Sequence, residues 1–209
     1  QQVHAQTHVM DFDTPIMPAA VFGSFGQKHV EGDFEHTSIG FNNGTPTSHI
    51  HGTTLPSGNR ASQLHSDAGG ALFRRTDGAD FSFQNWDVEK LITALTTGGN
   101  SALHVVGLND GSVVADVTLA SSVAGSTVNF LSLDANFGNV DLVEWFFDPA
   151  GRGVDPLTVP AALNLEIIVD NATFGDPIPA VPEPETYAML LAGLGLVGFA
   201  ANRRRRYYY

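Results

Sequence analysis

The chain contains no cysteine, so it has no disulfide framework, thiolate metal site or cysteine nucleophile. It is also short of positive charge, with 10 lysines and arginines against 22 acids and a net charge of −12. Six of those bases and twenty of those acids precede residue 181, which leaves that stretch at −14. Such an acidic surface repels nucleic-acid phosphates and anionic lipid, and cations are its natural partners. Charged residues are only 15% of the chain and hydrophobic residues 43%, a balance that excludes a disordered polyelectrolyte. Nor is there a Gly-x-Ser-x-Gly elbow, a Walker loop, a Rossmann glycine pattern, a His-Glu-x-x-His pair or an EF-hand loop, so the common motif-bearing enzyme and calcium-loop classes lose their support.

What is present is punctuated. Between Val9 and Gly175 apolar residues come in short bursts separated by turn formers, as in Val21-Phe22-Gly23-Ser24-Phe25-Gly26. With 22 glycines and 14 phenylalanines in 209 residues, this spacing predicts an all-β fold, a β-sandwich or jelly-roll-like ectodomain over residues 9–175. Asn109-Asp110-Gly111 between the runs 103–108 and 113–119 predicts a hairpin, because φ > 0 is cheap for Asn and Gly. Further strands are predicted over 71–75, 80–83, 128–133, 142–147 and 163–169, each of ordinary strand length. A short helix is predicted over 88–95 with Asp87 as its cap, and the polar, Gly- and His-rich stretch 42–70 reads as a long loop. Residues 1–8 form an N-terminal extension without the charged and apolar regions of a signal peptide, so a leader for export is expected to have been removed or to lie outside this sequence.

After Gly175 the character changes. Residues 176–186 are a Pro-rich linker that cannot continue a sheet. Residues 187–202 read as a single apolar C-terminal helix, and residues 203–209 as a basic tail led by Arg203, Arg204, Arg205 and Arg206. Fifteen apolar residues at about 1.5 Å each fall short of a bilayer core about 30 Å thick, so the segment is a marginal transmembrane span unless its flanks contribute. A buried core helix is the competing reading. The order of linker, Gly-bearing apolar segment and arginines favours a membrane stop with its positive end inside.

The stretch Val181-Pro182-Glu183-Pro184-Glu185-Thr186-Tyr187-Ala188-Met189-Leu190-Leu191-Ala192-Gly193-Leu194-Gly195-Leu196 resembles the PEP-CTERM sorting signal. That resemblance implies recognition of Pro182, Glu183 and Pro184 by a membrane-embedded thiol transpeptidase, an exosortase, with Arg203 to Arg206 as the cytoplasmic stop. It further implies export to the cell envelope, outer surface or extracellular matrix of a Gram-negative bacterium that makes exopolysaccharide. More weakly, the body resembles the β-rich ectodomains found upstream of this signal, through Asp11-Phe12-Asp13, Val30 to Glu35, Phe81-Ser82-Phe83 and Val169 to Phe174. Asp33-Phe34 departs from the Gly-Phe of those ectodomains.

Hard cations want several carboxylate and carbonyl oxygens, which makes Ca²⁺ the cofactor most compatible with this composition. In jelly-roll binding modules a structural Ca²⁺ ties the first strand to the last, and the resemblance transfers that role to Asp11, Asp13 and Asp170. The alternative is that Asp170-Asn171 only ends a strand or makes a turn. His49 and His51 would share one face of a strand, with His36 and His65 near in sequence, a set that suits Zn²⁺ or Cu²⁺ if a third ligand joins; solvated loop histidines are the plainer expectation. Glu31, Glu35, Glu144 and Glu166 are the acids from which a glycosidase pair would be drawn, although nothing marks two of them, and no enzyme activity is expected. Among the aromatics, Trp145 and Phe146 belong to an apolar run, whereas Trp86, flanked by Asn85 and Asp87, is the candidate exposed platform for a sugar. Two functions follow: a structural, adhesive or self-assembling matrix protein, or a calcium-assisted carbohydrate-binding module.

Overall fold

In the computed structural model the described residues are 7–18, 28–39, 41–42, 45–46, 50–65, 70–95, 98–147, 165–179, 189, 191–194 and 196. The chain divides into two compact units, Gln1–Ile178 and Pro179–Tyr209. The first is all-β. Its strands are β1 (His8–Met10), β2 (Lys28–Glu31), β3 (Phe34–Ile39), β4 (Phe41–Asn42), β5 (Thr45–Pro46), β6 (Ile50–Thr54) and β7 (Arg60–His65). They continue as β8 (Gly70–Arg75), β9 (Ser82–Ile92), β10 (Leu103–Asn109), β11 (Ser112–Leu119), β12 (Ser126–Asn129), β13 (Leu142–Phe147) and β14 (Glu166–Gly175). One helical turn, α1 (Phe130–Leu133), follows β12, and two 3₁₀ turns cover Ser121–Val123 and Ala135–Gly138.

These strands make two six-stranded sheets and a small β4–β5 pair. One sheet runs β12-β9-β14-β7-β6, with β1 on the free half of β14; the other runs β11-β10-β13-β8-β3-β2. Every pairing is antiparallel among the described strands. Aromatic side chains of both sheets share one core. Trp86 of β9 meets Trp145 of β13 with ring centroids 4.3 Å apart, Phe34 of β3 stacks on Phe174 of β14 at 4.2 Å, and Phe73 of β8 meets Phe83 of β9 at 5.9 Å. Phe130 of α1 and Phe137 close the cluster from the connection between β12 and β13. Each such ring, fully buried, contributes roughly 2–3 kcal/mol of transfer free energy.

The predicted hairpin forms, as β10 and β11, but Asn109 ends a strand and the left-handed residues are Asp110 and Gly111, at φ 49 and 74. Successive positive φ values are what a tight turn needs to follow the strand twist. The strands predicted over 71–75 and 142–147 appear as β8 and β13. The one predicted over 163–169 appears as β14, which runs on to Gly175, so Asp170-Asn171 lies within a strand instead of ending one.

Three expectations are overturned. The predicted helix over 88–95 falls on β9 as far as Ile92, and Asp87, its supposed cap, is a strand residue paired with Asp170. The run 128–133 is divided, since Asn129 accepts the Ser132 N–H at 3.0 Å and turns the chain from β12 into α1. The supposed long loop over 42–70 carries β6 and β7 in its described part. Its small residues reflect close packing: a Cβ on Gly52 would collide with the Met17 carbonyl oxygen, and Gly52 N–H donates to the Pro18 carbonyl at 2.6 Å. Only glycine admits a neighbouring backbone that close.

In the second unit, Met189, Leu191, Ala192, Gly193, Leu194 and Leu196 are helical and exposed. Among the described residues no helix is long and apolar enough to cross a membrane.

Candidate functional site

The sorting residues Pro182, Glu183 and Pro184 and the stop residues Arg203, Arg204, Arg205 and Arg206 lie outside the described residues. The last described stretch before them leaves β14 through Asp176 and Pro177, and Ile178 N–H donates to the Gly138 carbonyl at 2.7 Å.

Each of the three carboxylates assigned to calcium accepts a backbone N–H. Asp11 Oδ1 accepts the Asp13 and Thr14 N–H groups at 2.9 and 3.3 Å, shaping its own turn. Asp13 Oδ1 accepts Arg60 N–H at 2.8 Å, tying that turn to β7. Asp170 is buried and accepts Asn171 N–H at 2.8 Å. Burial pushes its carboxyl up to about 7 against that hydrogen bond, and the charges of Glu89, Asp13 and Asp87 add to the rise. The expected tie between first and last strands exists, but as backbone pairing of β1 with residues 172–174 of β14. Among the described residues no three of His, Asp and Glu form a group that could hold a metal ion.

Trp86 is fully buried against Trp145, Phe83 and Phe130. Its polar neighbours misled, because successive strand residues point to opposite faces: Asn85 and Asp87 turn away from the core that Trp86 enters. No sugar platform exists at that position. Phe146, also in a strand, stacks on His104 at 5.5 Å.

His36 and His51 are strand residues, both buried; His49 and the side chain of His65 lie outside the described residues. His36 is the polar centre of the core. Its Nδ1–H donates to the Leu72 carbonyl at 3.0 Å within its own sheet, and its Nε2 accepts the Ser62 hydroxyl of β7 at 2.7 Å, across to the other sheet. Phe73, Trp145 and Phe12 surround the ring at 4.6, 5.2 and 5.8 Å. Burial drives its pKa down to about 3, with the Leu72 bond opposing the fall and His29 adding to it, so the ring is neutral and serves as a tie between sheets. A ring with both nitrogens engaged has none left for a metal.

The candidate glutamates are also engaged in structure. Glu31 accepts the N–H groups of Asp11 and Phe12 at 3.3 and 3.2 Å and faces His29 Nε2 at 3.3 Å, which holds Phe12 in the left-handed region at φ 60. Glu35 pairs with Lys28 and Arg74. Burial opposes its ionisation, yet the hydrogen bonds from those two bases win and lower its pKa. Glu166 pairs with Lys90 at 2.6 Å and accepts from Gln63, and Glu144 is buried on β13. A second network escaped the sequence reading: Asp87 accepts from Asn171 Nδ2 at 2.9 Å and from Thr127 Oγ1 at 2.5 Å, holding β9, β12 and β14 together. Its only sequence signal was an Asn-Ala-Thr inside an apolar run.

No curated protein matches the chain. A solved structure that aligns with it is a DUF4465 family protein from Bacteroides ovatus, at 11% identity and a TM-score of 0.43, covering 82% of this chain and 99% of that one. Residues 180–206 match the PEP-CTERM protein-sorting motif, which contains both the Pro-Glu-Pro element and the four arginines. A motif of this kind implies export to the cell surface and processing by an exosortase, and this chain carries it at residues 180–206.

Proposed function

We propose that the protein is a structural or adhesive component of the outer surface or extracellular matrix of a Gram-negative bacterium, working within biofilm or exopolysaccharide after exosortase removes its tail. Its two sheets act in this reading as a β-sandwich of the jelly-roll type. The sorting motif over 180–206 carries the proposal. The acidic body supports it, since such a surface does not adhere to the anionic membrane that the protein leaves. Among the described strands, the sheet ends at β11 and β2 of one sheet and at β12 of the other offer one route to self-association by strand addition. The role is one of binding and structure, because the glutamates from which a hydrolytic pair would come are paired or buried instead.

The test is the mass of the C-terminal fragment from native cells with and without the exosortase, for the wild type and for Pro182→Ala/Glu183→Ala/Pro184→Ala. We expect everything beyond the Pro-Glu-Pro region to be lost only when enzyme and motif are both intact. An intact tail in every case would overturn the proposal.

A further inference from the structure

Among the described strands, β11 stands with its eight residues at the end of one sheet, and β12 stands at the end of the other. Between them lies an open groove of about 500 Å³, to which the 3₁₀ turn Ser121–Val123 and α1 also contribute walls. Leu119 and Val128 are buried at its base, Val117 and Val123 are half-buried, and Leu133 is 55% exposed. None of the twelve residues that line it carries a charge. Along β11 the side chains alternate. Ala115, Val117 and Leu119 pack toward the core, whereas Asp116 and Thr118 are exposed on the outer surface. Asp116, the single charged residue of the strand, pairs there with His104 Nδ1 of β10 at 3.2 Å. An edge strand of this kind presents a row of main-chain N–H and C=O groups to any strand laid beside it.

Charge selects the occupant. Residues before 181 carry a net charge of −14, so two copies of the body repel each other and approach at least cost through an uncharged surface. The groove is such a surface, and it offers a basic partner no acid to pair with. Symmetry then fixes the register. A two-fold axis perpendicular to the sheet pairs β11 antiparallel with itself and keeps the core faces of both copies on one side. Centred on Asp116, that axis opposes two like charges; centred on Ala115, it sets Asp116 against Val114. Centred on Val117, it sets the Asp116 carboxylate against the Thr118 hydroxyl of the second copy, with Ala115 against Leu119 on the core face. We propose that the protein forms a symmetric dimer in which β11 pairs antiparallel with β11 of a second copy about Val117, and in which the same interface covers both grooves. The pairing rests on the self-association named above and deepens it by choosing one sheet end and one register.

The full chain is followed by sedimentation equilibrium over a concentration series, and a dimer is expected. Thr118→Asp places a like charge opposite Asp116 twice in each dimer and should weaken association about fivefold or more, whereas Thr118→Lys should strengthen it. Ser57→Asp makes the same change of charge at an exposed turn beside β6, at the other end of the sheet from β12, and should leave association within about twofold. The chain has no cysteine, so an introduced one reports on its own neighbour. Val117→Cys should give a disulfide-linked dimer under mild oxidation, because residues directly opposite in an antiparallel pair have Cα atoms about 4.5–5.5 Å apart. Val113→Cys should not, although Val113 is 56% exposed, since it lies well off the axis. A monomer at every concentration overturns the proposal, as does a dimer indifferent to Thr118→Asp or one linked through Val113→Cys and not through Val117→Cys. In the last two cases copies associate by another surface, and self-association stands without this edge. Processing of the tail is read separately by mass, so its outcome and this one are independent.

Discussion

His36 and Asp170 titrate in opposite senses. His36 is held near 3 in the fold against 6.5 when free, so its contribution is intact above 6.5 and is lost as pH falls from there toward 3. Asp170 is held near 7 against 3.8, so its contribution is intact below 3.8 and is lost as pH rises toward 7. By linkage each slope approaches about 1.4 kcal/mol per pH unit, and between about 4 and 6.5 the two cancel. Denaturant unfolding at a series of pH values should show this: relative to wild type, Asp170→Asn becomes more stabilising from pH 4 to 7, by about 3 kcal/mol. His36→Gln, destabilising at neutral pH through its lost tie to Ser62, becomes relatively less so as pH falls from 6.5 to 4. Parallel pH profiles for all three proteins would refute both assignments. Trp86 acts through packing alone. Trp86→Ala should cost about 3–5 kcal/mol in unfolding free energy, measured by the same denaturant series.

Among the elements, the β10–β11 hairpin was legible because its turn chemistry is local. Gly111 sits at φ 74 with open space where a Cβ would stand, so Gly111→Ala should cost about 1–2 kcal/mol by backbone strain alone, measurable by thermal unfolding. The long strand β9 was not legible, and its bulges explain why. Trp86 and Val88 face the core, but Lys90 pairs with Ile168 while Val88 pairs with Val169, so Glu89 is an extra residue and the parity then changes to Leu91. The spacing Val88, Leu91, Leu95 that results is that of a helix face. Tertiary pairing with β14 overrides it. The strand β6 was hidden for another reason: its Gly52 makes room for the Met17–Pro18 segment, a neighbour about 35 positions away that no local window contains.

For the whole molecule, the sequence located the destination better than the body's work. The sorting tail is read as a linear string, and its order of Pro-Glu-Pro, apolar segment and arginines survives without any fold. The pairing of β1 with β14 was invisible, since it joins the first described strand to the last and leaves no local signal. The placement of β14 also has a mechanical side. It lies between β9 on one flank and β7 and β1 on the other, and it is the strand from which the tail departs. A pull on the end of β14 is therefore borne by hydrogen bonds on both of its flanks, where an edge strand would have them on one.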